Sequence, residues 1–164
     1  MSNPQFINPT TSYTAKSLSF DDEGRSKLIS GITAISKAVK STLGPLGKTV
    51  LLESSNHTSG MTITKDGVTV ARAIMLDDPI ENLAVQMMKE AADRTANTAG
   101  DGTTTAIVLT EAIVKAGQEF IKPEHNTTEI IRNINKVCKD IISSLEKNSR
   151  KVTKGRLLDV ACIS

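Results

Sequence analysis

The chain contains no tryptophan, one tyrosine and three phenylalanines. A stacking surface for single-stranded nucleic acid needs several aromatic faces, so their scarcity argues against that function and leaves an aliphatic core. Cysteine is nearly as rare: Cys138 and Cys162 are the only two, without metal-ligand spacing. Cys138 falls on an apolar helical stripe and is expected to be a small buried hydrophobe, not a reactive thiol. An excess of one charge is also missing. The net charge is +2 with 23% charged residues, and lysines and acids are interspersed. Neither nucleic acid nor an anionic membrane is implied as a partner. No apolar run is long enough to span a bilayer, and the N-terminus has no signal-peptide core. A reducing cytoplasm is compatible with all of this.

What is present is helical periodicity. At 164 residues the chain has room for one ordinary domain. Residues 1–15 are polar, contain Pro4 and Pro9, and read as a flexible extension. Leu28, Ile32, Ile35 and Val39 then form one stripe that stops near Gly44-Pro45. Residues 48–53 and 61–65 are short strand candidates, joined by a polar loop around His57 into a hairpin. Asp78-Pro79-Ile80-Glu81 reads as a capping box opening a helix with Ile80, Leu83, Met87 and Ala91 inward. A third helix after Gly102 shows Ala106, Leu109, Ile113, Gly117 and Phe120 on one side. Asn126 caps a fourth, with Ile130, Ile134, Val137, Ile141 and Leu145 facing in. His57 and His125 fall in loops and receive no role. Residues 157–164 stay largely apolar up to the end of the sequence, which reads as a cut rather than a natural end.

The richest local chemistry lies in Gly100-Asp101-Gly102-Thr103-Thr104-Thr105. Glycines let a backbone approach a ligand closely. The threonines open a helix whose free N–H groups and positive dipole end favour phosphate. Asp101 is a suitable oxygen ligand for Mg²⁺. The same run also reads as an ordinary capped helix start. Thr64-Lys65-Asp66-Gly67 is expected to close the hairpin, and adds a cation and a second carboxylate. Lys65 and Asp66 are equally acceptable as plain turn residues. Thr42-Leu43-Gly44-Pro45 adds a tight glycine turn. Asp77 and Asp78 read as helix-cap residues.

Gly47-Lys48-Thr49 imitates the end of a P-loop, but the pattern needs a glycine where Thr42 stands. The order is also reversed, since this segment runs from helix to strand.

Four ordered runs give the chain a family resemblance: 41–45, 63–68, Gln86-Met87-Met88-Lys89-Glu90, and 100–105. From about Lys16 to Ser164 it resembles the start of a group I chaperonin of the GroEL type. The resemblance implies a mainly α fold, the helical N-terminal half of an equatorial ATP-binding domain at 16–147 with a small β-hairpin, incomplete at the C-terminus. Residues 148–164 would then begin the intermediate domain with its first strand. It implies that Thr42, Leu43, Gly44 and Pro45 pack against ATP and its phosphates. Lys65 would contact phosphate, Asp101 would bind Mg²⁺, and Gly102, Thr103, Thr104 and Thr105 would line the phosphates. Asp66 would stand beside the attacking water as the catalytic carboxylate. Lysine and Mg²⁺ neutralise phosphate charge while a carboxylate orients water.

The resemblance further implies a cytoplasmic homo-oligomeric ring acting on unfolded protein clients with a GroES-type cochaperonin. The second catalytic aspartate, the adenine and ribose contacts, and the client-binding domain are expected outside these residues. Leu46 replaces a common lysine, and the loop around His57 is about two residues longer than usual. Residues 16–20 would pair as a strand with a neighbouring subunit's stem loop. A stripe of four or five aliphatic side chains without covering helices forfeits about 1.5–3 kcal/mol for each. A marginal or partly molten isolated chain is therefore expected. An alternative function is a non-enzymatic module that pairs with intact chaperonin subunits, or a non-functional fragment.

Overall fold

The computed structural model describes residues 18–53 and 60–163. Helix α1 (Asp21–Lys40) leads to strands β1 (Val50–Glu53) and β2 (Met61–Thr64). Helices α2 (Gly67–Ala73), α3 (Pro79–Ala99), α4 (Thr103–Phe120), α5 (Thr127–Asn148) and α6 (Leu157–Ile163) follow, with a 3₁₀ turn at Lys154–Arg156. The mainly helical reading with one small hairpin is met. The strand expected after Asn148 is not: the regular structure there is the 3₁₀ turn and α6. Of the proposed N-terminal strand, residues 16 and 17 lie outside the described residues, and 18–20 have no strand structure.

Helix α1 has Asp21, Asp22 and Glu23 in its first turn and Lys37 and Lys40 in its last, matching the helix dipole at both ends. Strands β1 and β2 pair antiparallel, with Val50 opposite Thr64 and Glu53 opposite Met61. The loop around His57 lies outside the described residues. Thr64-Lys65-Asp66-Gly67 does not close this hairpin. It leaves β2 and starts α2, where the Asp66 carboxylate accepts hydrogen bonds from the Val68 and Thr69 amides. The carboxylate satisfies free helix-start donors, so a helix begins where a turn was expected.

The core draws Ile35 and Val39 from α1, Val70 and Ala71 from α2, Val85, Met88 and Ala92 from α3, and Ile107 from α4. Helices α1 and α3 approach at Gly31, where a Cβ would collide with the backbone of Glu81. An ion pair from Lys27 to Asp78, 2.9 Å long, joins the same two helices. Asp78 meanwhile caps α3 through the Ile80 and Glu81 amides, with Pro79 in its first turn, as its sequence implies.

Three helix faces differ from expectation. On α3 the buried residues are Ala84, Val85, Met88 and Ala92, whereas Leu83 and Met87 are 56% and 62% exposed. The face of α3 turned to the core is the one that carries Ala84, Val85, Met88 and Ala92, so the neighbouring stripe of Leu83 and Met87 turns outward. On α4 the buried residues are Thr103, Ile107 and Glu111, while Leu109, Ile113 and Phe120 are exposed. A polar stripe is buried there because its carboxylate is paired with lysines from α1 and α4. No residue of α5 is buried: of its stripe Ile130 is half-buried and the others are exposed, and Cys138 is exposed rather than buried.

Candidate functional site

The three sequence runs expected to carry phosphate chemistry sit at three ends of regular structure. The first follows α1. Ser41, Thr42 and Leu43 donate their amides to Ala38, Val39 and Lys40 carbonyls, and the Thr42 hydroxyl bonds the Val39 carbonyl at 2.8 Å. The turn then reverses at Gly44, which has φ +75°, a conformation that favours glycine. Its base is closed by Gly47 N–H to Gly44 O at 2.9 Å and Lys48 N–H to Ser41 O at 2.6 Å. A side chain at Gly47 would strike the Thr42 carbonyl. Leu43, Gly44 and Pro45 are exposed and Thr42 is half-buried.

The second run leaves β2. Lys65 is exposed beside Asp66, whose carboxylate bonds the Val68 amide at 3.3 Å, the Thr69 amide at 3.0 Å and the Thr69 hydroxyl at 2.5 Å. The Thr69 hydroxyl is the main cause, joined by the two amides and the charge of Arg72, that holds Asp66 below the usual carboxylate range against the opposing effect of burial. Asp66 is therefore ionised at neutral pH.

The third run links α3 to α4 through two left-handed glycines, Gly100 at φ +77° and Gly102 at φ +84°. Asp101 between them accepts the Gly102 amide at 2.6 Å. Helix α4 has no side-chain cap at its N-terminus, unlike α2, α3 and α5, which are capped by Asp66, Asp78 and Asn126. Uncapped first-turn amides are suited to an external anion. Thr103 is buried, Thr104 half-buried and Thr105 exposed.

Gly67 unites these ends. A Cβ there would collide with the Thr104 hydroxyl and lie 3.4 Å from a methyl of Val39. The start of α2 therefore rests on the first turn of α4 and the last turn of α1, bringing Asp66, Thr104 and the approach to Thr42 into one corner of the body. Among the described residues no cluster of three or more His, Cys, Asp or Glu side chains could hold a metal. A single protein carboxylate, as Asp101 would supply, suits Mg²⁺, which keeps most of its waters and shares phosphate oxygens.

Two contributors escaped the sequence reading. Helix α2 was signalled only by the cap pattern Asp66-Gly67-Val68-Thr69. Glu111 was signalled by an acid in register with Thr103 and Ile107. His125 bonds the Lys122 amide through Nδ1 at 3.1 Å and so closes the connection from α4 to α5. No described helix is long and apolar enough to cross a membrane.

Fold and site together define a helical domain with a corner at which the starts of α2 and α4 meet the end of α1. The model of the TCP-1/cpn60 chaperonin family matches residues 35–164, and the chain belongs to that family. Its structure is similar to the chaperonin gp146 from bacteriophage EL 2 (Pseudomonas aeruginosa), solved in the presence of ATP-BeFx in two crystal forms. With crystal form II the TM-score is 0.69 at 33% identity over 80% of this chain and 22% of that one. With crystal form I the TM-score is 0.69 at 32% identity, over 80% and 23%. The chain thus spans less than a quarter of the length of the chaperonins it matches.

Proposed function

We propose that this chain carries the phosphate and Mg²⁺ side of an ATP site belonging to an ATP-dependent protein-folding chaperonin subunit. The observation that supports the reading is the seating of Gly67 on Thr104 and Val39, which sets the start of α2 against the first turn of α4 and the last turn of α1, from which the Thr42–Pro45 turn departs. Thr42, Leu43, Gly44, Pro45, Lys65 and Gly102 to Thr105 would hold ATP, and Asp101 would hold Mg²⁺. Bound Mg²⁺ would neutralise charge on the phosphate oxygens. Lys65 adds a mobile point charge beside them. The uncapped amides of α4 supply fixed donors that need no reorganisation. Asp66, ionised and held by Thr69, would accept a proton-side hydrogen bond from an attacking water. In the family's working form, such a subunit would act in a cytoplasmic ring on unfolded proteins, with a GroES-type cochaperonin.

The test is an NMR titration of the chain with Mg²⁺·ATP. Shifts confined to residues 42–45, 65–67 and 100–105, weakened at least about tenfold in affinity by Asp101→Asn, support the reading. Shifts elsewhere, or none at millimolar nucleotide, refute it.

A second reading is a non-enzymatic module that pairs with intact chaperonin subunits. It is favoured by the two-stranded sheet, whose outer edges have no partner strand among the described residues. Co-purification with a full-length ring supports it, and inert behaviour beside such a ring removes it.

A further inference from the structure

The most deeply buried carboxylate among the described residues has no part in the reading above. Glu111 lies in the middle of α4, 3% exposed, in line with Thr103 and Ile107. One carboxylate oxygen accepts Lys115 Nζ at 2.7 Å, one turn further along the same helix. The other pairs with Lys40 Nζ, which arrives from α1. Burial pushes the carboxyl up, yet the bonds from Lys115 and Lys40 and their charges outweigh it and hold Glu111 below the usual range.

The two lysines have different structural consequences. Lys115 and Glu111 belong to one helix, so their pair compensates charge without joining elements. Lys40 is the last residue of α1, and the next residue, Ser41, receives the Lys48 amide that closes the Thr42–Pro45 turn. Helix α4 carries Gly102 to Thr105 at its start, two turns before Glu111. The Lys40–Glu111 pair therefore spans from the root of one phosphate-suited segment to the helix that presents another. The apolar contacts of Ile35 and Val39 hold α1 against its neighbours but are non-directional. A buried charge pair selects one register of the helix end.

We infer that Glu111 is a positioning residue, whose ion pair with Lys40 fixes the end of α1 and the turn after it relative to the first turn of α4. As a statement about an ATP site this rests on the reading proposed above. As a statement about the turn it does not.

Amide hydrogen exchange on the full chain without nucleotide separates the two. In Lys40→Met and Glu111→Gln, the Gly47 and Lys48 amides should exchange at least about tenfold faster, relative to Val85 and Met88 in the body, as expected when a buried ion pair is broken by removal of one partner. Lys40→Arg should restore their protection, and Lys115→Met should leave it unchanged. Unchanged turn amides in Lys40→Met, failure of arginine to rescue, or an equal effect from Lys115→Met would overturn the inference. Should Glu111→Gln not fold, Lys40→Met decides alone, because its side chain is 45% exposed and truncation leaves no cavity. Absent ATP binding by the unaltered chain would refute the ATP reading while leaving the exchange result intact.

Discussion

Helices α4 and α5 teach opposite lessons about amphipathic sequence. The α5 stripe of Ile130, Ile134, Val137, Ile141 and Leu145 is uniformly aliphatic, yet the helix has no buried residue. The α4 stripe of Thr103, Ile107 and Glu111 is two-thirds polar, yet it is buried in the body that α4 forms with α1, α2 and α3. An apolar stripe is only a capacity for burial. Realised burial depends on neighbouring elements and on whether buried polar groups find partners. Glu111 finds Lys40 and Lys115, whereas among the described residues no helix packs closely along α5. The body of α1 to α4 should therefore carry the chain's cooperative stability, and α5 should add little.

The largest test of that contrast is a pair of truncations. Ile107 is fully buried, so Ile107→Ala should destabilise the body by about 2–5 kcal/mol. Ile141 is 52% exposed, so Ile141→Ala should change stability by less than about 0.5 kcal/mol. Chemical denaturation followed by circular dichroism measures both. Equal losses would mean that α5 is packed in solution and that the contrast is wrong. Next comes backbone contact. Gly31→Ala sets a Cβ against Glu81 and should cost about 1–3 kcal/mol. Gly155→Ala meets nothing within 4 Å and should leave the unfolding midpoint of the body in place.

Helix caps sharpen the comparison on a smaller scale. Asp66 and Asn126 each accept two amides at the start of a helix, one inside the body and one on α5. Replacing either by alanine should cost its helix about 0.5–2 kcal/mol. Only Asp66→Ala should lower the melting temperature of the body, whereas Asn126→Ala should reduce helical signal without moving it. Asp66 also has a pH signature. Its folded pKa lies below its unfolded value, so its stabilisation is complete above about pH 3.9 and is lost as pH falls through the lowered folded value. Melting temperature against pH should therefore fall less steeply in acid for Asp66→Asn than for the unaltered chain. Parallel curves would show that the carboxylate's cap contributes nothing measurable.

Much of the fold was legible because local rules were obeyed. Helix α1 carries its stripe of Ile35 and Val39 inward, Asp78 and Asn126 cap as their sequence context implies, and the hairpin strands lie where apolar runs met a polar loop. Helix α2 was illegible because seven residues give too short a window for helical periodicity to register. The faces of α3 and α4 were misread for a physical reason: hydrophobicity ranks Leu83 and Leu109 above Ala84 and Glu111. Close helix approach and ion pairing reverse that order, and both depend on residues distant in sequence. At the candidate site, the motifs marked Thr42, Lys65, Asp66 and Asp101 individually. What no motif encodes is the seating of Gly67 on Thr104, or the pairing of Lys40 with Glu111 across 71 positions.

The smallest expected effect tests whether polar burial in the body is always compensated. Ser36 is fully buried on α1, one turn before Lys40, and its hydroxyl has no hydrogen-bond partner among the described residues. Glu111 shows what the same environment does with a polar group that has partners. An unpaired buried hydroxyl costs about 1–3 kcal/mol by mutational measures, partly offset by its packing contacts. Alanine removes the hydroxyl and is the better helix former by a few tenths of a kcal/mol. Ser36→Ala should therefore stabilise the body by up to about 1 kcal/mol, raising the melting temperature by a few degrees. A loss of stability would mean that the hydroxyl is bonded in solution, through an ordered water. Ser36 would then be compensated as the Glu111 carboxylate is, which has Lys115 and Lys40 beside it.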